Sequence, residues 1–119
     1  MTRQENTGIR PLDFSAWVRT NLPDSSTGYL VSDLDFIFYN YKTKKIALCE
    51  IKTRNKGINT WQGKLFEFLD SCIKKGLPPD WTYLGFFLIR FEHTFFSDGL
   101  VFLNGQPSSE EEIKLKLSF

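Results

Sequence analysis

The chain has 119 residues, enough for one domain with a real core and too few for two ordinary ones. A hydrophobic fraction of 41% and an aromatic fraction of 16%, with twelve Phe, exclude a disordered chain. The net charge of +1 excludes the whole-molecule basic field that usually marks a nucleic-acid binder. The charges are nonetheless unevenly placed. Between Lys42 and Lys56 stand six bases (Lys42, Lys44, Lys45, Lys52, Arg54, Lys56) and one acid, Glu50, while acids collect at Glu110–Glu112. Such a local patch can hold a phosphate backbone. Apolar runs such as Leu84–Ile89 fall far short of the roughly 20 residues that span a bilayer, so no membrane association is expected. The opening MTRQENTGIRP lacks an apolar h-region, so no signal peptide is expected. Cys49 and Cys72 sit in apolar patterns without metal spacing, which suggests buried free thiols in a reducing cytoplasm.

In chain order, residues 1–10 read as a loose arm. Pro11 to Leu22 reads as a short helix, with Pro11 in its first turn and Pro23 beyond its end. The PDSSTG stretch from Pro23 is a loop. Tyr29 to Tyr41, rich in aromatic and β-branched residues, is expected to be a strand. Its alternation sets Asp33, Asp35, Ile37 and Tyr39 on one face and Leu34, Phe36 and Phe38 on the other. After a turn at Lys42–Lys44, Lys45 to Thr53 is the next strand. Ile46, Leu48, Glu50 and Lys52 share one face of it, and Ala47, Cys49 and Ile51 the other. Both faces are largely apolar, as in a central strand covered on each side. Glu50 and Lys52 are costly there unless they lie at an open end of the sheet with partners.

A polar loop over Arg54–Asn59 leads to a helix from Thr60 to about Lys75. Asn59 or Thr60 caps it, Trp61, Leu65, Phe68, Leu69 and Cys72 form its apolar stripe, and Gly76 with Pro78 ends it. Trp81–Phe91 reads as a strand, Ser97–Gly99 as a turn, Leu100–Leu103 as a short strand and Asn104-Gly105 as another turn. The tail from Pro107 begins like a helix capped by Ser108 or Ser109, although Lys114–Leu117 alternates as a strand does. The expected fold class is therefore α/β: one domain over 1–119, with its core at about 12–103, a tail over 107–119 and a mixed central sheet flanked by helices.

Phosphodiesters are anionic and resist attack, and a cation that polarises the phosphoryl oxygen and activates a water overcomes this. Mg²⁺ takes one or two protein carboxylates beside phosphate oxygens and waters. Asp35 and Glu50, projecting from neighbouring strands, supply such a pair, and Asp33 shares the face of Asp35. The carbonyl of Ile51 adds a backbone oxygen. Lys52, two residues after Glu50 on the same face, can orient the attacking water or stabilise developing charge. The competing account is an ion pair on a half-solvated strand, which is common and worth little.

Asp35, fourteen intervening residues and then Glu50-Ile51-Lys52 resemble the motif of the PD-(D/E)xK, or restriction-endonuclease-like, nuclease superfamily. The apolar Ile46–Cys49 before the Glu and Thr53-Arg54 after the Lys fit that pattern. So does the order helix, β-meander, helix, strand over roughly residues 12–91. Gln62 resembles the helix glutamine of the RecB-like and Holliday-junction-resolvase-like branches, with Phe66 where those branches often carry Tyr. Leu34, not Pro, precedes Asp35, and the literal Pro23-Asp24 lies in the turn-rich loop. The resemblance favours Asp35 over Asp33 as metal ligand, with Asp24 third and little weight on Asp13 or Glu5. It implies a restriction-endonuclease-like fold and a Mg²⁺- or Mn²⁺-dependent endonuclease acting on DNA, with RNA equally open. Asp35 and Glu50 would hold metal, Lys52 would serve the water and Gln62 would position it. Arg54, Lys56 and Lys64 are the expected nucleic-acid contacts. One site per chain means that double-strand cutting needs a homodimer or two events. The alternative is a catalytically inactive nuclease-fold module that binds nucleic acid or a protein. His93, without a Cys/His cluster, reads as an incidental surface or loop residue. Trp61, Trp81 and the Phe86–Phe96 segment read as packing rather than base-stacking groups.

Overall fold

A computed structural model describes residues 12–119. The arm, Glu5 and Pro11 lie outside the described residues. The elements are α1 (Leu12–Asn21), β1 (Phe36–Asn40), β2 (Lys45–Lys52), α2 (Thr60–Gly76), β3 (Thr82–Phe91), β4 (Val101–Leu103), β5 (Gln106–Ser108) and α3 (Glu110–Leu117), with 3-10 turns at Ser25–Thr27 and Phe96–Asp98. The class is α/β. The chain divides into two compact units, with the boundary between Ser32 and Asp33. No helix of the described residues is long and apolar enough to cross a membrane.

The first unit holds α1 and the turn after it. Phe14 and Trp17, three residues apart, stack with ring centroids 5.7 Å apart. Asp24, the literal Pro-Asp aspartate, caps the 3-10 turn by accepting a hydrogen bond from the Ser26 amide at 2.6 Å. Asp13 stands exposed in the first turn of α1.

The second unit is built on a five-stranded mixed sheet in the order β1-β2-β3-β4-β5. β1 pairs antiparallel with β2 through a tight turn. β2 pairs parallel with β3, and β3, β4 and β5 follow antiparallel. A parallel pair needs a crossover, and α2 provides it. Asn59 caps α2, its Oδ1 accepting from the Gln62 amide at 2.9 Å. Gly85, at φ +116°, sits where the β2–β3 register shifts between Ile46 and Ala47, a conformation that favours glycine. Asn104 and Gly105, both at positive φ, close the β4–β5 hairpin.

Alternation along β2 assigns the two layers. On one face, α2 sets Phe66 against Phe86 with ring centroids 4.8 Å apart. On the other, α3 brings Ile113 into a core of Cys49, Ile89, Phe91, Val101 and Leu103, with Phe36, Phe38 and Phe87 around it.

Four expectations are corrected. The strand expected from Tyr29 begins only at Phe36, and Tyr29, Leu30 and Val31 are exposed. The β1–β2 ladder stops at Phe36 opposite Cys49 although β2 runs on to Lys52, after which Arg54 and Asn55 both take φ +55°. The stripe expected on α2 is rotated: Gln62 and Phe66 are buried, while Trp61, Phe68 and Cys72 are exposed. The helix does carry an apolar stripe, but Glu50 and Phe86 beneath it turn the buried face toward Gln62 and Phe66. Cys72 is accordingly not the buried thiol expected, whereas Cys49 is. In the tail, Gln106–Ser108 form the unexpected β5. Lys114–Leu117 are helical, since Ser109 caps α3 by accepting from the Glu112 amide at 3.2 Å.

Candidate functional site

The β1–β2 ladder ends with Phe36 opposite Cys49. One step further, Asp35 lies opposite Glu50, so both side chains emerge on the α2 face. Two reciprocal hydrogen bonds replace the missing ladder. The Asp35 amide donates to Glu50 Oε1 at 3.2 Å, and the Ile51 amide donates to Asp35 Oδ2 at 2.8 Å. Carboxylates thus take over where backbone pairing stops, which is why the strand does not continue toward Tyr29.

α2 completes the cluster. Gln62, fixed in the first turn by the Asn59 cap, donates from Nε2 to Glu50 Oε2 at 3.1 Å. Gln62 Oε1 is buried and has no hydrogen-bond partner among the described residues. Lys52 reaches the same Glu50 Oε2 at 3.7 Å, with its side chain 23% exposed against 4% for Glu50. The cluster lies at the carboxyl ends of the parallel pair β2 and β3, the end at which α/β sheets commonly place ligands.

Burial dominates the electrostatics. It pushes the Glu50 carboxyl up from 4.5 to about 7, helped by a hydrogen bond and charge repulsion from the Asp35 side chain and opposed by Lys52. On the opposite face, burial first and the charges of Asp35 and Glu50 second push the Cys49 thiol up to about 12.

A hard divalent cation fits this donor set, since it needs one or two carboxylates and tolerates a backbone carbonyl. In a strand, the N–H and C=O of one residue point the same way. The Ile51 amide is aimed at Asp35, so its carbonyl is aimed to that side as well. Among the described residues, no group of three or more His, Cys, Asp or Glu is placed to hold a metal. The donors are thus two carboxylates and main chain.

The structure brings together Asp35, Glu50, Ile51, Lys52 and Gln62. Asp33 is exposed and lies outside any strand. Arg54 and Lys56 are exposed in the loop after β2, and Lys64 is exposed on α2. Arg54 contributes its amide to this loop, donating to the His93 carbonyl at 2.7 Å. The His93 side chain is 61% exposed and lies 3.7 Å from Glu92, consistent with a surface role. Sequence reading misses Arg90. It is the register partner of Lys52 on β3 and shares its face, a relation that only strand pairing reveals. Compared with protein-family models, with curated proteins and with solved structures, the chain matches none.

Proposed function

We propose that this protein is a Mg²⁺- or Mn²⁺-dependent nuclease that hydrolyses DNA phosphodiester bonds, through a site of the restriction-endonuclease-like kind. One observation carries the reading: an acid just before β1 meets a deeply buried acid on β2, with a lysine standing 3.7 Å from the buried one. Such an arrangement is unfavourable for stability alone, since burial beside a second acid disfavours ionisation of Glu50. A cation removes that penalty.

Asp35, Glu50 and the Ile51 carbonyl would hold the metal. When bound, it would polarise the phosphoryl oxygen and lower the pKa of a water. The chain's own groups supply the rest. Lys52, partly open to solvent on the same face as Glu50, has an ammonium that can donate to the attacking water or to a phosphoryl oxygen. Gln62 fixes the Glu50 carboxylate through Nε2 and keeps Oε1 as a buried acceptor for a water proton. Ile51, through its amide, fixes the rotamer of Asp35.

A second reading is a nuclease-fold module that binds without cutting. The small donor set of two carboxylates, both already hydrogen-bonded to protein amides, favours it. The two readings separate when branched, linear duplex and single-stranded DNA are incubated with Mg²⁺ or Mn²⁺ against EDTA, beside Lys52→Ala and Glu50→Ala. The nuclease gives metal-dependent cutting that falls by about 10²–10³ in Lys52→Ala. Binding of DNA by the wild type with no cutting of any substrate would overturn it in favour of the module.

A further inference from the structure

Resting on the nuclease reading, we infer that Arg90 is a phosphate clamp that grips a non-reacting phosphate of the nucleic-acid strand beside the Asp35–Glu50 cluster. Arg90 pairs in register with Lys52 across the parallel β2–β3 ladder, so the two side chains share the α2 face on strands about 4.8 Å apart. The same face recurs on β4, where Phe102 is the partner of Arg90, while Val101 and Leu103 turn into the opposite core.

Two contacts fix the guanidinium. Its carbon lies 4.5 Å from the centroid of the Phe102 ring, a cation–π arrangement. Its Nη1 donates to Asn55 Oδ1 at 3.0 Å. Asn55 is itself held: its φ is +55°, and its amide donates to the Phe91 carbonyl at 3.2 Å. The preceding amide, of Arg54, donates to the His93 carbonyl. The loop after β2 is thereby tied to the end of β3, which sets the Asn55 side chain against Arg90.

No carboxylate among the described residues forms an ion pair with Arg90. A half-buried arginine stacked on a ring and oriented by an amide, yet without a counter-anion there, keeps most of its planar fork of donors for an external anion. That fork matches the paired oxygens of a phosphate, and its conformation is set before binding. The Phe102 anchor lies on the β4 side of β3, whereas the acid pair spans β1 and β2. Arg90 therefore takes a different phosphate of the strand from the one attacked. The chemistry selects a phosphodiester backbone and carries no base preference.

The test is equilibrium binding of a fluorescent DNA strand in EDTA, followed by anisotropy across a salt series, with cutting in Mg²⁺ measured separately. Arg90→Gln is expected to weaken binding about tenfold and to lower the slope of log affinity against log salt by about one. It should leave the cutting rate at saturating DNA within about twofold of wild type. Arg90→Lys should keep the salt slope but recover only part of the affinity, because a point charge cannot reproduce the fork. Thermal melting of each variant checks folding, and Phe102→Leu, which leaves the charge but removes the ring, should weaken binding about two- to threefold. Unchanged affinity and slope in Arg90→Gln, with metal-dependent cutting intact, overturn the clamp and leave the nuclease standing. Binding that depends on Arg90 without any cutting overturns the nuclease and leaves the clamp. A wild type that neither binds nor cuts overturns both.

Discussion

Replacing Glu50 by Gln should make the metal-free protein more stable at pH 8 and not at pH 5. Glu50 is 3% exposed and its carboxyl is raised from 4.5 to about 7, chiefly by burial. At about 1.4 kcal/mol per tenfold change in proton affinity, ionising it in the folded chain costs about 3 kcal/mol relative to the unfolded chain. The folded carboxyl binds its proton more tightly than the unfolded one. Its contribution is thus complete below about pH 4.5 and is lost as pH rises through about 7. The amide of the Glu50→Gln side chain does not titrate. It still accepts from the Asp35 amide, and a flip of Gln62 would set the unpartnered Oε1 toward the new NH₂ group. The lost pairing with Lys52, at 3.7 Å, offsets less than about 1 kcal/mol. About 2 kcal/mol remains, or a Tm higher by about 5–10 °C at pH 8. Melting curves of both proteins in EDTA from pH 5 to 8.5 read this directly, and their difference isolates Glu50 from every other titrating group. A difference that does not change with pH, or a wild type that gains on the variant above pH 7, would refute the reasoning. Excess Mg²⁺ should then raise the wild-type Tm at pH 8 and leave Glu50→Gln unmoved, since only a folded chain that binds the ion is stabilised by it.

Because protonated Glu50 competes with metal, the Mg²⁺-induced rise in wild-type Tm should grow as pH increases through about 7 and be small at pH 5.5, as a titration at each pH would show. Ile113 is 4% exposed in the core beneath α3, so Ile113→Ala should cost about 2–4 kcal/mol in denaturant unfolding; a negligible cost would mean that α3 does not close that face. Cys72 is exposed, whereas Cys49 is buried with its thiol pushed up to about 12, so a thiol reagent should modify one cysteine in the native protein and both in denaturant. Fast modification of both in the native state would contradict the burial of Cys49.

The candidate site was largely legible in the sequence because strands impose a period of two. Glu50 and Lys52 necessarily share a face once Lys45–Lys52 is extended, and the apolar residues around them mark the position as one where charge is costly. Asn59 announced the start of α2 by its capping chemistry, and that start places Gln62. Composition and the alternation of helical and strand patterns were enough for the α/β class.

Relations between distant segments were settled only by the tertiary structure. Asp33 and Asp35 are equivalent by alternation. Asp35 meets Glu50 because the ladder carries Phe36 opposite Cys49 and then ends. The buried face of α2 is turned from the stripe its own sequence shows, since the neighbours that bury Gln62 and Phe66 belong to other strands. β5 exists because a two-residue turn folds Gln106–Ser108 back on β4, a pairing without a local apolar signal. Arg90 stands beside Lys52 through a parallel pairing that spans the whole of α2. Local periodicity can assign a residue to a face, but long-range pairing alone determines which residue lies across from it.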